Sequence, residues 1–288
     1  MNKITKVMIM SMIVNSILSV IKIIIGLIGQ SGALIADGIH SFSDLITDIV
    51  AIIGSKLSRK PADLNHPYGH GKIEYITSIF ISSMILFLGF SILINAFIKK
   101  VTIPANIVVI VTIFTIISKY ILASYILKSG KKYNSNILIS SGIESKTDVI
   151  SSIVVLISSL LAHFNKYISM FKYMDKIAMI IVSILIIKTG YNLIKENISN
   201  ILGEAEINTE LTKTIEKIIL KNKKVINIDE LILIKYGSYY KLISDIVMNE
   251  NAKLKDVHNI LDILEEQIKE QTKVKYVTFH VNPEISEN

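Results

Sequence analysis

The chain has 288 residues, of which 51% are hydrophobic, and its mean hydropathy is +0.52. Soluble domains are rarely so apolar, so this composition excludes an ordinary soluble protein and indicates a membrane protein. The chain has no cysteine, which excludes disulfides and thiolate ligands, so any metal must be held by His, Asp, Glu, Asn or the backbone. The net charge of +7 is explained by lysine-rich loops beside membrane spans, because no basic patch interleaved with aromatic residues indicates nucleic-acid binding.

Long apolar runs dominate residues 1–203, and a helix needs about 20 predominantly apolar residues to cross a bilayer. We predict an α-helical membrane domain with six transmembrane spans, at about Val7–Ile28, Gly32–Leu57, Tyr75–Phe97, Ala105–Leu127, Ile137–Ala162 and Lys176–Ile198. Lysines are concentrated before the first span and in the loops after the second and fourth spans. The positive-inside rule therefore places these segments in the cytoplasm, and the even number of spans places both termini there.

Residues 204–288 carry an ordinary load of charged residues, so we predict a domain boundary at Gly203. Amphipathic and alternating patterns predict, in order, a helix, two strands, a helix and a strand, at Thr209–Asn222, Asp229–Ile234, Lys241–Met248, Leu254–Gln271 and Val274–Val281. The order αββαβ predicts a small α+β domain with its helices on one face of the sheet.

Ionisable residues inside two predicted spans are functional candidates, because burying a charge in lipid costs several kcal/mol. His40 and Asp44 lie four residues apart in the second span, and Glu144 and Asp148 lie four apart in the fifth. This spacing places each pair on one helix face. Together the pairs could form a site for a divalent cation, with one nitrogen ligand and up to three carboxylates. The alternative is two polar helix faces that satisfy each other or line water.

Four further charged residues accompany these pairs. Asp37 and Asp48 extend the acidic stripe of the second span by about one turn in each direction, and we expect them in an access path or at a helix end. Lys22 and Lys146 are expected to neutralise acids or to extend towards the membrane interface, without a chemical role.

The loop after the second span contains a second group of candidate ligands. Asp63, His66 and His70 lie within eight residues, among prolines and glycines that favour turns. Two imidazoles and a carboxylate held close together could bind a metal ion. The alternative is a solvated polar loop.

Two motifs carry a resemblance to the cation diffusion facilitator family. Residues 31–44, SGALIADGIHSFSD, resemble the family's second span, and residues 66–72, HPYGHGK, resemble its loop signature. The resemblance covers essentially the whole chain. It implies a homodimeric antiporter that exchanges a cytoplasmic divalent metal ion for protons, with a ferredoxin-like, metallochaperone-like C-terminal domain.

The resemblance also assigns site residues. It implies a transport site formed by His40, Asp44, Glu144 and Asp148. Zinc carriers of the family commonly have histidine where Glu144 stands, and the additional oxygen ligand favours harder ions such as Mn²⁺ or Fe²⁺. Zinc also accepts carboxylates, so it remains an open alternative.

Outside the membrane the resemblance implies weaker sites. The loop residues Asp63, His66 and His70 match a second metal site of some family members. In the C-terminal domain four residues match the ligand positions of a dimer-linked metal site. His258 and His280 match two of them, and Asp229 and Asp245 stand where bacterial zinc carriers have histidines. At the exit of the sixth span, Gly203 replaces an acid that would tie this exit to the third span. We expect Glu204 with Lys72 to substitute for that tie.

We therefore expect a multi-pass protein of the inner or plasma membrane that exports a divalent transition-metal ion (zinc, manganese, iron or cobalt) in exchange for protons. The expected partners are a second copy of the chain, membrane lipid and protons, with no nucleic acid and no organic cofactor. The metal ion is expected as substrate and as a structural or regulatory ligand. The alternative is a membrane-anchored sensor or scaffold that binds the ion without moving it. An enzyme is not expected, since the chain has no HExxH motif and no phosphate-binding loop.

Overall fold

A computed structural model describes residues 3–58, 60–133 and 135–284, without the side chains of residues 47, 48, 50–58, 136 and 137. Six long helices come first: α1 (Lys3–Ile28), α2 (Gly32–Ser58), α3 (Ile73–Ile98), α4 (Asn106–Lys132), α5 (Asn136–His163) and α6 (Met174–Leu202). Two short 3₁₀ helices, Phe164–Lys166 and Ser169–Tyr173, connect α5 to α6. The C-terminal elements follow as α7 (Glu210–Leu220), β1 (Val225–Tyr236), β2 (Tyr239–Met248), α8 (Leu254–Gln271) and β3 (Val274–Pro283).

The long helices agree with the predicted spans to within a few residues at most ends. Five of them, α1, α3, α4, α5 and α6, are long and apolar enough to cross a membrane. The sixth, α2, has 27 residues, which is ample length for a span, and it carries the acidic stripe. The predicted fold class, a helical membrane protein with a C-terminal α+β domain, is confirmed.

The chain divides into two compact units, and the first consists of Met1–Ile49 with Phe80–Leu193. This helical unit has a core of small and aliphatic side chains, among them Ala33, Ala36, Ile85, Val155 and Ile186. Its outward faces carry large apolar side chains that are more than half exposed, such as Ile13, Ile17, Phe80 and Phe87. A soluble protein rarely exposes so much contiguous apolar surface, whereas lipid accommodates it.

Two glycines allow α1 and α2 to approach closely. A Cβ atom at Gly26 would lie 2.8 Å from the backbone nitrogen of Ile35, and one at Gly38 would lie 3.0 Å from the backbone nitrogen of Ile23. A larger residue at either position would push the two helices apart. The close approach places Lys22 of α1 directly against α2.

The first turn of α2 is held by a carboxylate from α6. Asp175 Oδ1 accepts a hydrogen bond from the Ser31 hydroxyl at 2.6 Å, and Oδ2 accepts from the backbone N–H of Gly32 at 2.8 Å and of Ala33 at 3.4 Å. A negative charge at this end is favourable, because the first N–H groups of a helix have no partner within the helix.

The second unit consists of Val50–Ile79 with Ile194–Asn288. Its sheet has the order β1-β2-β3, with β1 antiparallel to β2 and β2 parallel to β3. Apolar side chains of α7 and α8, such as Ile219 and Leu264, pack with Leu242 and Ile246 of the sheet. The predicted αββαβ order is confirmed, but β1 begins at Val225 rather than Asp229. Two register shifts in the first half of β1 break the alternation on which the prediction depended.

Within this unit the turn between β1 and β2 contacts the first turn of α3 and the segment before it. The backbone N–H of Gly237 donates to the Tyr75 hydroxyl at 2.8 Å, and the Tyr239 hydroxyl donates to the carbonyl oxygen of Tyr68 at 2.6 Å. Burial raises the pKa of Tyr239, so its hydroxyl keeps the proton that this bond needs. A Cβ atom at Gly71 would lie 2.2 Å from the carbonyl oxygen of Tyr236, so this contact requires glycine.

Candidate metal centre

Helices α2 and α5 bring three of the predicted ligands together. His40, Asp44 and Asp148 each offer one ligand atom, and these atoms lie within 4.8 Å of one another. His40 Nε2 is 3.9 Å from Asp148 Oδ1. The Nδ1 atom of His40 is buried without a hydrogen-bond partner among the described residues, so no such bond fixes the orientation of the ring. One imidazole and two carboxylates form a ligand set that suits a divalent transition-metal ion.

The fourth predicted ligand, Glu144, lies outside this group of ligand atoms. Its side chain is exposed, although it stands only one turn before Asp148 on α5. Residues four apart on a helix differ by about 40° in direction and about 6 Å in height. Here that difference separates a buried position from an exposed one, so the structure assembles three of the four predicted ligands.

A lysine that we did not predict also contacts the group. Lys119 of α4 is 3% exposed, and its Nζ lies 2.6 Å from Asp148 Oδ2 and 3.3 Å from the Ser41 hydroxyl oxygen. The sequence does contain a signal for it, a single lysine in the middle of an otherwise apolar span. Such a charge is costly in a membrane and indicates a buried partner, but the sequence does not say which acid that partner is.

Asp37 is placed differently from our expectation. Instead of lying in an access path or at a helix end, it forms an ion pair with Lys22, with Nζ 2.8 Å from Oδ2 and both side chains 0% exposed. The hydroxyls of Ser151 and Ser152 each donate to its carboxylate at 2.7 Å. Lys22 also donates to Ser152 at 2.9 Å and to Ser41 at 3.3 Å. This pair thus joins α1, α2 and α5 through a buried polar network.

Of the other two charged residues, only Lys146 has a described side chain. Lys146 is exposed on α5, so it neutralises no buried acid. The side chain of Asp48 lies outside the described residues.

The loop ligands also come together, in the second unit. Asp63 Oδ1 lies 3.1 Å from His66 Nδ1, and Asp63 Oδ2 lies 3.4 Å from His70 Nε2. Partial desolvation acts to raise the pKa of Asp63, but hydrogen bonds from His66 outweigh it, and the pKa lies below its usual value. His70 Nδ1 is 3.2 Å from the carbonyl oxygen of Pro61, and a hydrogen bond there leaves Nε2 free as a metal ligand.

The C-terminal candidates do not meet within one chain. Among the described residues, no three of the four predicted ligands place ligand atoms within 4.8 Å of one another. His258 instead lies 3.6 Å from Asp262, one turn further along α8. Asp245 and His280 are neighbours in the β2–β3 register, while Asp229 accepts a hydrogen bond from Asn282.

The expected pairing of Lys72 with Glu204 is absent from the described residues. Lys72 Nζ donates instead to the carbonyl oxygen of Ile201 at 2.8 Å and lies 4.8 Å from the centre of the Tyr236 ring, while Glu204 is exposed. The last carbonyls of a helix have no partner within the helix and attract cations, so the end of α6 replaces the carboxylate.

Two family models match the chain and together cover nearly all of it. The cation efflux transmembrane domain matches residues 8–202, and the cytoplasmic domain of cation efflux proteins matches residues 207–284.

Three relatives match over most of their length. The manganese efflux system protein MneP of Bacillus subtilis is 32% identical over 98% of this chain and 97% of its own. MneS, a manganese efflux system protein of the same organism, is 28% identical over 93% of this chain and 91% of its own. An uncharacterised transporter of Methanocaldococcus jannaschii is 34% identical over 98% of this chain and 99% of its own.

Proposed function

Since the chain belongs to the cation efflux family of membrane metal transporters, also called cation diffusion facilitators, we propose that it exports Mn²⁺ from the cytoplasm in exchange for protons. Members of this family are transporters and not enzymes. The observation that carries the proposal is the group formed by His40, Asp44 and Asp148 between two membrane helices. Ionisable groups at such a position are costly and are kept where an ion pathway needs them.

The choice of manganese rests on the ligand chemistry and on the relatives. The group offers two carboxylates and one imidazole, and the chain contains no cysteine that could add a soft thiolate. Oxygen ligands suit Mn²⁺, whereas softer sets favour zinc or copper. Two relatives that match nearly the whole chain are manganese efflux proteins.

Proton exchange follows from the same ligands. A metal ion binds only to the unprotonated imidazole and carboxylates, so binding releases protons and protonation releases the metal. If the site opens to one side of the membrane at a time, an inward proton gradient drives the metal outward.

The test is a transport panel on the full-length protein in proteoliposomes. We expect Mn²⁺ uptake that is faster than uptake of Zn²⁺, Fe²⁺ or Co²⁺, that increases when the lumen is acidic, and that falls when a protonophore removes the gradient. Binding without uptake would instead support a sensor or scaffold. An uptake rate that does not depend on the pH gradient would contradict proton exchange. Faster uptake of Zn²⁺ than of Mn²⁺ would contradict the choice of metal.

The loop group is proposed as a second metal site, formed by Asp63, His66 and His70. The full-length protein should then bind more than one Mn²⁺ or Zn²⁺ per chain. The variant His66→Ala should lower that stoichiometry while leaving transport-site binding in place. An unchanged stoichiometry would assign the loop to a solvated role.

We also propose that the protein acts as a homodimer with both termini in the cytoplasm. The match of residues 207–284 to the cytoplasmic domain of the family supports this arrangement. The four C-terminal candidates do not meet within one chain, so a metal ion held by them would need ligands from a second copy. Metal should therefore raise the dimer fraction, measured as mass in solution, and the double variant His258→Ala, His280→Ala should remove that effect.

A further inference from the structure

The surroundings of the transport site contain two buried lysines that are held in different ways. Lys22 is paired with Asp37 at 2.8 Å, and both side chains are 0% exposed. Asp37 also accepts from two serine hydroxyls. The pair is linked to the site through the Ser41 hydroxyl, to which both Lys22 and Lys119 donate at 3.3 Å. It behaves as a fixed part of the helix packing.

Lys119 has fewer described partners than Lys22 and contacts a candidate ligand directly. Its ammonium lies 2.6 Å from Asp148 Oδ2 and 3.3 Å from the Ser41 hydroxyl. Asp148 therefore presents one oxygen to Lys119 and the other, Oδ1, to His40. The ammonium is thus bound to the same carboxylate that a metal ion at this site would use.

A metal ion at Asp148 and this ammonium would repel each other. The interaction of unit charges at 4 Å is about 4 kcal/mol at an effective dielectric constant of 20, and the incoming ion carries two charges. This repulsion favours movement of the ammonium away from Asp148 when the metal ion arrives.

We propose that Lys119 is a tethered counter-cation, whose ammonium occupies the transport site when no metal is bound and moves away from Asp148 when the metal enters. Ser41 provides an acceptor that Lys119 already contacts, and Lys119 shares this hydroxyl with Lys22. This inference rests on the proposed function, because it assigns to Lys119 a step in the transport cycle of the same site.

The consequence concerns the return of the empty carrier. A buried carboxylate without a partner is strongly destabilising, so an empty site would hinder the conformational change that returns it to the cytoplasmic side. Lys119 neutralises Asp148 in the metal-free carrier, so on the return step the exchanged protons need to neutralise only the other ligands. Lys119 is thus a positioning residue, which competes with the metal for its ligand and is not itself a ligand.

The test compares the full-length wild type with the variant Lys119→Gln. Removing the competing cation should tighten Mn²⁺ binding, measured by calorimetry, roughly tenfold, which is a small part of the repulsion expected between charges at this distance. Net Mn²⁺ transport into proteoliposomes should fall, because the empty carrier returns slowly. Exchange of labelled for unlabelled Mn²⁺ across the membrane should be retained, because exchange needs no empty carrier.

Two controls separate this role from a structural one. Lys119→Arg keeps the positive charge and should keep wild-type affinity. Lys146→Gln removes an exposed lysine two residues from Asp148 and should change neither affinity nor transport. If Lys119→Gln does not fold, Lys119→Met is measured in the same assays, since methionine keeps a long side chain without leaving a buried amide.

The inference is overturned if a folded variant binds Mn²⁺ with unchanged or weaker affinity, if exchange falls as much as net transport, or if Lys119→Arg also tightens binding. These outcomes differ from failure of the proposed function. If the proposed function is wrong, the wild type itself will neither bind nor transport Mn²⁺.

Discussion

Replacing Asp37 by asparagine should destabilise the helical unit more than any change of similar size on its surface. Asp37 and Lys22 are both fully buried and their charged atoms are 2.8 Å apart. Asparagine has nearly the same shape, but its amide nitrogen cannot accept, so the change removes the charge and one hydrogen-bond acceptor. Breaking a buried pair by removing one partner costs about 3–5 kcal/mol, because the other charge stays buried without compensation.

The double variant Lys22→Met, Asp37→Asn separates this charge effect from packing. Neutralising both members of a buried pair is often close to neutral, so the double variant should recover most of the stability that Asp37→Asn loses. The assay is equilibrium unfolding in mixed micelles at several denaturant concentrations. Far-UV circular dichroism is the suitable probe, because the chain contains no tryptophan.

One result would refute the reasoning. The free energy of unfolding of Asp37→Asn could lie within about 1 kcal/mol of the wild-type value, which is the ordinary range for a point mutation. If the transport rate of that variant nevertheless falls, Asp37 does not act through a structural pair. It would then belong to the ion path, as its position in the acidic stripe first suggested.

Four further predictions concern the candidate site, its neighbours and the close contact at Gly71. Asp44→Ala is expected to abolish Mn²⁺ transport in proteoliposomes. Glu144→Ala should leave measurable transport, because Glu144 lies outside the group formed by His40, Asp44 and Asp148. Equal losses of transport in the two variants would place Glu144 among the ligands. Asp148→Ala should abolish transport and also lower the melting temperature, since it leaves a buried lysine without its carboxylate; wild-type transport would remove Asp148 from the site. Glu144→His should raise the ratio of Zn²⁺ to Mn²⁺ transport, because it adds a softer nitrogen ligand one turn before Asp148. An unchanged ratio would mean that selectivity is set elsewhere. Gly71→Ala should lower the melting temperature by more than an ordinary surface change, because its Cβ would lie 2.2 Å from the Tyr236 carbonyl oxygen, and an unchanged value would show that the turn moves to make room.

The helices and the α+β domain could be predicted because their signals are local. An apolar run of about 20 residues specifies a membrane helix wherever it packs, and alternation specifies a strand until a bulge interrupts it, as in β1. The loop ligands Asp63, His66 and His70 come together for the same reason, since turns within eight residues leave them few alternatives.

The remaining features depend on how helices are rotated against each other, which no local pattern specifies. The spacing of four correctly grouped His40 with Asp44, but it could not show that α5 turns Asp148 inwards and Glu144 outwards. It also could not show that Lys119 of α4 faces Asp148 while Lys22 of α1 faces Asp37. The C-terminal candidates remain a prediction for another reason, because a site shared by two copies is not visible in one.

The carboxylate of Asp175 at the start of α2 has a mechanical consequence. Three hydrogen bonds hold Ser31, Gly32 and Ala33 to α6, so α2 cannot slide along its axis without breaking them. It can tilt about this end, however, and Asp44 lies about 17 Å along the helix from it at a rise of about 1.5 Å per residue. On this lever a tilt of about 10° displaces Asp44 by about 3 Å. That displacement is comparable to the 4.8 Å within which the ligand atoms of His40, Asp44 and Asp148 lie from one another. A pinned end thus lets a small tilt of one helix take the site apart while the pinned end itself stays in place.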